Sequence, residues 1–209
     1  MAARSHHRAI RHFRRVDPRL AALAARMELL RLKRRNNHFR SLVREIVNQQ
    51  LSGRAAATIL SRFIRLFPGN SFPTPKQVLA QPVRKLRSAG LSGQKALYIR
   101  ELARAVESGQ LNFRKIVRLP DEDVIVLLTR QKGIGRWTAE MFLMFSLGRP
   151  DIFSFGDLGL RKALTRLYGK RGRLTLASMQ KIAARWSPYR TYAAQLLWAS
   201  NDVSLDELG

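Results

Sequence analysis

Proline and glycine divide this sequence into short helical segments, and this punctuation limits the available folds more than any other feature. Proline opens segments at Pro18, Pro82 and Pro120, because it fits the first helical turn without losing a hydrogen bond. Thr74 to Gln77 reads as a capping box. Glycine closes segments at Gly90, Gly109, Gly133, Gly148 and Gly169. Sustained apolar–polar alternation is absent, so we predict an all-α fold.

Apolar residues recur at helical spacing between these breaks. Pro150 to Gly156 is the exception, and we expect it to be a packed loop because it carries Ile152, Phe153 and Phe155. The later helices are predicted over Ser41–Gln50, Arg136–Leu147, Asp157–Tyr168, Thr175–Trp186 and Pro188–Ser200.

Charge points to a polyanionic partner. Lys and Arg number 39 against 14 Asp and Glu, a formal net charge of +25. Such an imbalance costs self-repulsion in the folded state, and a nucleic-acid partner is its usual explanation. An RNA-binding protein or a generally basic proteome remains the alternative. No apolar run is long enough to span a membrane.

The absence of cysteine and the scarcity of histidine limit the catalytic and metal-binding groups that this chain can use. The chain has no cysteine, and its four histidines are His6, His7, His12 and His38. A Cys/His zinc site is therefore excluded from the main body, as are disulfides and thiol nucleophiles. An enzyme of this composition must use carboxylates, hydroxyls, amines or backbone dipoles.

The N-terminal segment carries Arg4, Arg8, Arg11 and Arg15 on one helical face, with no acid before Asp17. This resembles an organellar transit peptide. We favour a basic helix near DNA, because Phe13 and Val16 lead directly into the next helix.

Two helices are joined by Lys132-Gly133-Ile134-Gly135, followed by Arg136. Glycines let the main chain approach a ligand, and the N-terminus of the second helix offers N–H groups to a phosphate. Lys132 and Arg136 add positive charge, and Ile134 can anchor the turn in the core. Such a turn alone can equally be a plain helix connection.

Asp157 is the only acid between Asp151 and Asp202, and it precedes a helix. Its simplest role is an N-cap, which does not exclude chemistry because a capping carboxylate is held rigidly. Glu140 is expected on a solvated helix face and Asp151 in a turn. Aromatic residues are core residues in most proteins, but Trp137 and Trp198 can also stack on an extruded base.

These segments together resemble the helix-hairpin-helix DNA glycosylase superfamily, and most closely the bacterial 3-methyladenine DNA glycosylase II group. The resemblance covers about residues 10 to 200. Its motifs are Phe39–Ser52, Gly90–Ala103, the hairpin Gly133–Ala139, Asp157 twenty residues beyond Trp137, and Trp186–Trp198.

The resemblance implies a role for individual residues. Asp157 corresponds to the catalytic aspartate, and Trp137, Trp198 and Met141 to the base pocket. Met141 stands where some relatives have tyrosine. The implied DNA contacts are Gln50, which fills the hole left by the flipped base, and Lys132, Gly133, Gly135, Arg136 and Thr138. Main-chain carbonyls of Thr129, Gln131 and Ile134 correspond to a Na⁺ or K⁺ site, and no other cofactor is implied.

The implied fold has two helical lobes with a cleft between them, residues 40–147 and residues 1–39 plus 148–209. The implied activity is excision of N-methylated, cationic purines from double-stranded DNA by base flipping, in a monomeric cytoplasmic protein at the bacterial nucleoid. Trp137 replaces the lysine of relatives that also cut the strand, so no lyase activity is expected. The alternatives are a non-catalytic helix-hairpin-helix DNA-binding module and a glycosylase for deaminated or oxidised bases.

Overall fold

The computed structural model describes residues 2–27, 31–169 and 173–201, and these are α-helical with no β-strand. The helices, in chain order, are α1 (Ala2–Val16), α2 (Pro18–Arg26), α3 (His38–Asn48), α4 (Gly53–Arg65), α5 (Pro75–Ala80), α6 (Val83–Arg87), α7 (Gly93–Glu107), α8 (Phe113–Ile116), α9 (Asp121–Thr129), α10 (Arg136–Phe145), α11 (Leu158–Tyr168), α12 (Leu176–Ala184) and α13 (Arg190–Ser200). The predicted all-α class is confirmed. None of the helices in the described ranges is long and apolar enough to cross a membrane.

Side-chain caps explain where many helices begin. Ser52, Ser92 and Thr175 each accept a hydrogen bond from the backbone N–H three residues ahead. The predicted capping box is confirmed, since Thr74 and Gln77 exchange hydrogen bonds at the start of α5. These polar capping residues therefore mark where the helices begin, as the sequence predicted.

Several predicted boundaries were wrong by two or three residues. The helix predicted over Ser41–Gln50 is α3, which starts at His38 because the Asn37 side chain accepts from Arg40 N at 2.8 Å. It also ends before Gln49, so Gln50 lies in a turn with φ of +56°. The helix predicted from Pro188 begins at Arg190.

The chain divides into two compact units, Met1–Arg34 with Gly148–Gly209, and Arg35–Leu147. In the first unit, α2 and α11 both pack on α13, and α1 packs on α2. In the second, α3 packs on α4, α7 and α10, while α7 also packs on α5 and α6. Each unit buries its own apolar core, with residues such as Phe13, Trp186 and Tyr192 in the first and Ile46, Ile99 and Phe142 in the second.

Asp17 organises the first unit around one buried carboxylate. Its Oδ1 accepts from Leu20 N at 3.1 Å, which caps α2. Its Oδ2 accepts from Tyr168 Oη and Trp186 Nε1, both at 2.9 Å, and from Arg185 Nη2 at 3.4 Å. Burial and the neighbouring Asp17 charge raise the pKa of Tyr168 well above its ordinary value. Residues far apart in sequence are thereby joined through one acid.

The basic N-terminal segment forms α1. Its Ala9 and Phe13 are fully buried, while Arg8, Arg11 and Arg15 are exposed. The side chain of Arg4 lies outside the described part of the structure. The exposed arginines therefore form one basic face on a helix that is packed into the first unit.

Candidate active site

Asp157 stands at the N-terminus of α11, directly after the predicted packed loop. Ile152 and Phe153 of that loop are buried, which confirms the prediction. Asp157 Oδ1 accepts from Leu160 N at 2.8 Å, so the carboxylate caps α11. The same oxygen accepts from Trp198 Nε1 at 2.9 Å. Two donors on different helices therefore fix the half-buried carboxylate in one orientation.

Gly159 makes room for this pair. A Cβ at position 159 would lie 3.2 Å from Asp157 Oδ1 and 3.3 Å from Trp198 Cδ1, tighter than most real contacts. The Gly159 carbonyl accepts from Asn201 Nδ2 at 3.1 Å, which ties the first turn of α11 to the end of α13. Neither Gly159 nor Asn201 was identified from the sequence.

Asp151 forms an ion pair with Arg190. Arg190 Nε and Nη2 approach its two carboxylate oxygens at 2.8 and 3.0 Å, and Ser187 Oγ donates at 2.8 Å. Burial alone would raise the pKa of Asp151, but the hydrogen bonds from Arg190 and Ser187 lower it below its ordinary value. This carboxylate therefore holds the loop to α13.

Glu140 is buried, so the expectation of a solvated face was wrong. Its side chain pairs with Arg136 Nε at 3.0 Å, one turn earlier on α10. Arg136 also reaches Glu122 on α9 at 2.6 Å. This network explains why Glu140 can be buried, because its carboxylate and that of Glu122 both pair with the Arg136 charge. Lys132, which is exposed, adds positive charge to the hairpin turn.

The hairpin between α9 and α10 is packed against α3 and α7. Gly133 has φ of +83°, and a Cβ there would lie 2.2 Å from the Tyr98 ring. Its carbonyl accepts from Gln49 Nε2 at 2.8 Å. Ile134 is 4% exposed, which confirms that it anchors the turn. The fold itself requires glycine at position 133.

Gly135 differs from Gly133. It caps α10 with φ of −86°, a value that any residue adopts, and a Cβ there would meet nothing within 4 Å. Neither the backbone conformation nor the packing of the protein demands glycine at this position. The missing side chain leaves the N-terminus of α10 open to a close approach from outside.

The first turns of α10 carry four of the predicted site residues, Arg136, Trp137, Thr138 and Met141. Trp137 is 37% exposed, whereas Met141 is 4% exposed. The Thr138 side chain is buried and lies 3.4 Å from Gln49 Nε2, so only its main chain can take part in an external contact.

A cavity of about 450 Å³ opens beside the hairpin. It brings Gln50 and Trp137 together with Lys95, whose Nζ donates to the carbonyls of Val47 at 2.8 Å and Gln49 at 2.6 Å. Burial lowers the pKa of Lys95. Lys95 thus supplies a hydrogen-bond donor to the carbonyls at the end of α3, and it stabilises the turn in which Gln50 takes its left-handed conformation.

A second cavity, of about 550 Å³, lies between α3 and α4 and shares Asn48 with the first. Its charged lining residues are four arginines, Arg35, Arg40, Arg44 and Arg65. Two of these arginines act on Glu45: burial raises the pKa of Glu45, and Arg44 and Arg35 counter that rise. The groove therefore places four arginines next to the first cavity.

The carbonyls of Thr129, Gln131 and Ile134 belong to the turn that follows α9. Helix-terminal carbonyls lack intrahelical partners, and such hard oxygen donors suit Na⁺ or K⁺. The Gln131 carbonyl also accepts from Ile134 N at 3.1 Å, which leaves its second lone pair for a cation. The residues therefore fit a monovalent ion. Within the described ranges, no cluster of His, Asp or Glu could hold a metal.

Sequence reasoning missed Gln49, Lys95 and Tyr98. Gln49 is the neighbour of the predicted Gln50, and Lys95 and Tyr98 lie in the segment Gly90–Ala103 that carried part of the resemblance. The contact of Tyr98 with Gly133 spans 35 residues, that of Lys95 with Gln49 spans 46, and that of Gln49 with Gly133 spans 84. No local pattern encodes such pairings.

Several known proteins are similar to this chain in sequence and in fold. DNA-3-methyladenine glycosylase 1 of Schizosaccharomyces pombe is 32% identical over 89% of this chain and 82% of its own length. The solved structure of a DNA-3-methyladenine glycosidase from Bacillus halodurans superposes with a TM-score of 0.82 at 38% identity, covering 94% of this chain and 89% of the other. The S. pombe 3-methyladenine DNA glycosylase in complex with abasic DNA gives 0.83 at 32% identity, covering 94% and 98%.

The family model of the HhH-GPD superfamily base excision DNA repair proteins matches residues 43–188. This range contains the hairpin, Asp157 and most of the helices around them. The chain belongs to the HhH-GPD superfamily of base excision DNA repair proteins.

Proposed function

We propose that this protein is a monofunctional, monomeric DNA glycosylase that removes N-alkylated, cationic purines from double-stranded DNA in base excision repair. The observation that carries the proposal is Asp157, fixed at the start of α11 by Leu160 N and Trp198 Nε1. The names of the similar enzymes support alkylated bases as the substrate class. In a bacterium its place of action is the cytoplasmic nucleoid, where the DNA lies.

Asp157 acts on the charge that develops when the glycosidic bond breaks. Departure of the base leaves positive charge on the sugar, and a fixed carboxylate opposes it. At about 4 Å and an effective dielectric constant of about 20, the attraction is about 4 kcal/mol, or roughly a thousandfold in rate. The same carboxylate can orient the attacking water.

A cationic base needs little help to leave. An N-alkylated purine already carries positive charge, so no strong general acid is required. Aromatic faces attract such a cation by about 0.5–2 kcal/mol each. We assign this recognition to the rings of Trp137 and Trp198, of which Trp137 is the more exposed, and we assign Met141 to the base pocket as an apolar contact.

The hairpin holds the DNA backbone. Gly133 shapes the turn, Gly135 leaves the N-terminus of α10 open, and the N–H groups there, including that of Thr138, can bind a phosphate. Lys132 and Arg136 flank the turn, and Gln50 fills the gap left by the flipped base. The carbonyls of Thr129, Gln131 and Ile134 would hold a Na⁺ or K⁺, which would supply further positive charge for phosphate binding.

Base removal should occur without strand cleavage. Tryptophan at position 137 cannot form the covalent sugar adduct that a lysine amine forms. Purified protein should therefore leave intact strands bearing abasic sites, and a nick formed without alkali or nuclease contradicts the assignment.

The test is release of methylated bases from alkylated DNA by wild type and Asp157→Asn. Asparagine keeps the cap of α11, so stability and DNA binding should be retained while release is lost. The control is Asp123→Asn, an exposed acid on α9 that should leave release unchanged. If neither wild type nor variant releases a base while DNA binding persists, the chain is a binding module or acts on another lesion.

A further inference from the structure

A basic groove, the α11 groove, runs along α11 in the unit that carries Asp157. It is a cavity of about 630 Å³, and Arg173, beyond the end of α11, contributes to its lining. The α11 residues that line it follow the i, i+3, i+4, i+7, i+8 spacing of one helix face. They are Leu158, Arg161, Lys162, Thr165 and Arg166.

The α11 groove concentrates positive charge. Arg161, Lys162 and Arg173 are exposed, and none of the described residues that line the groove is an acid. None of these three cations forms an ion pair with an acid in the described part of the chain. Asp17 and Asp151, which belong to the same unit, pair with other arginines. Like charges held together repel one another, so a bound polyanion would stabilise this surface.

One end of the groove adjoins the proposed catalytic carboxylate. Leu158 lines the groove, is 64% exposed and directly follows Asp157. Arg161 and Lys162 come one helical turn after Asp157, a rise of about 6–8 Å at about 1.5 Å per residue. One strand of duplex DNA rises about 3.4 Å per nucleotide. A carboxylate that acts on the sugar of a flipped nucleotide therefore brings these two cations within about two nucleotides of it along the strand.

This placement favours a DNA backbone over other polyanions. Lys and Arg bind phosphate oxygens irrespective of sequence, and such contacts fix the position of a protein on a duplex. The hairpin belongs to the other unit, Arg35–Leu147. A phosphate contact made by the unit that carries Asp157 would hold the carboxylate against the lesion strand directly. An acidic segment of a partner protein would match the same charge, but nothing would require it to bind next to Asp157.

We propose that Arg161 and Lys162 bind backbone phosphates of the lesion strand within about two nucleotides of the flipped base, and that Arg173 extends this contact along the groove. The inference rests on the proposed glycosylase function and deepens it, because the α11 groove is the surface by which the unit carrying Asp157 holds the strand.

The experiment measures the salt dependence of binding to a duplex that carries a stable abasic-site analogue. Each phosphate contact contributes about 0.9 to the slope of log K against log salt, so Arg161→Gln with Lys162→Gln should reduce the slope by about 1.8. Between about 50 and 200 mM KCl, wild type should lose about 12-fold more affinity than this variant. The matched control, Arg84→Gln with Lys85→Gln on α6, should keep the wild-type slope. Arg161→Lys with Lys162→Arg keeps both charges and should restore the slope.

Methylphosphonates, which replace single charged phosphates by neutral groups, test the position of the contact. A methylphosphonate within about two nucleotides of the abasic analogue should weaken binding by wild type and should not weaken further the binding by Arg161→Gln with Lys162→Gln. A methylphosphonate far from the analogue should affect both proteins equally, because distant and independent changes are additive.

The outcomes that overturn the proposal are distinct. A wild-type slope in the Gln variant, or an equal fall in slope in the α6 control, removes the groove as a phosphate site. A reduced slope without coupling to the phosphates beside the lesion contradicts the assigned position. If an oligoglutamate peptide binds wild type but not the variant while DNA binding is equal in both, the occupant is an acidic protein segment.

Release of methylated bases from alkylated DNA, measured in parallel, separates this inference from the proposed function. Wild type that shows the coupling but releases no base fails the proposed function and leaves the DNA contact of the α11 groove in place. Wild type that releases bases and shows neither the coupling nor the change in slope keeps the glycosylase and overturns the groove.

Discussion

Trp198 donates its indole Nε1–H to Asp157 Oδ1 at 2.9 Å, on the oxygen that also caps α11. A tryptophan predicted as a base-pocket residue thus also positions the carboxylate. Its ring and its N–H can be tested separately, because phenylalanine keeps an aromatic face and removes the donor.

Trp198→Phe should slow base excision without unfolding the protein. A hydrogen bond to a charged group contributes about 1.5–3 kcal/mol, so we expect a roughly 10- to 100-fold slower single-turnover rate. The matched control is Trp186→Phe, which removes a donor to Asp17 instead. That variant should lower the Tm and keep the rate below its melting range. Equal loss of rate in both variants contradicts the positioning role.

The two hairpin glycines should respond differently to substitution. Gly133→Ala forces a left-handed residue against the Tyr98 ring and should destabilise the protein by about 1–3 kcal/mol. Gly135→Ala adds a Cβ that has no protein atom within 4 Å and should cost about 1 kcal/mol or less, but it should weaken binding to abasic-site DNA. Chemical denaturation and fluorescence anisotropy measure the two effects. Unchanged affinity of the Gly135 variant would remove the hairpin from the proposed DNA contact.

Lys95 should control the turn that carries Gln50. Lys95→Met removes the donor to the carbonyls of Val47 and Gln49, so the left-handed Gln50 loses its support. We expect weaker binding to abasic-site DNA and a higher KM, with kcat nearly unchanged. Lys95→Arg keeps a cationic donor and should restore most of the affinity. A fall in kcat alone would assign Lys95 to the chemical step instead.

The arginine-lined groove should contribute to DNA affinity through charge. Each neutralised phosphate adds about 0.9 to the slope of log K against log salt, so Arg44→Gln with Arg65→Gln should reduce that slope by about 1.8. The matched control removes the same charge from α6 in Arg84→Gln with Lys85→Gln, outside the groove. Binding of undamaged duplex over a range of KCl concentrations checks this, and identical slopes for both pairs rule the groove out as a phosphate site.

Local signals allowed much of the fold to be predicted. Helix starts are set by proline, capping side chains and apolar spacing, and each of these signals lies within a single short segment of sequence. The capping box at Thr74 and the packed loop around Phe153 were therefore predicted correctly. The end of α3 was misplaced because Lys95, 46 residues away from Gln49, supplies the partners of its last carbonyls. Glu140 was misjudged for a related reason, since its burial depends on Arg136 and packing rather than on its own polarity.

In the candidate site, too, local properties could be predicted from the sequence and long-range contacts could not. Asp157 was identified because it is an isolated acid at a helix start within a motif, and those are local properties. Its contact with Trp198 spans 41 residues and the role of Gly159 depends on both of them, so neither could be predicted.

Asp17 also sets an order of events during synthesis. Its partners Tyr168 and Trp186 are translated 151 and 169 residues later, so the N-terminal helices leave the ribosome long before the groups that bond to their buried carboxylate. The unit Arg35–Leu147 is continuous in sequence and is complete by then. Because domains fold as units during translation, this continuous unit should fold first. The unit that carries Asp157 can close only when the last helices are made, so a stalled or truncated chain would have a folded hairpin and no ordered carboxylate.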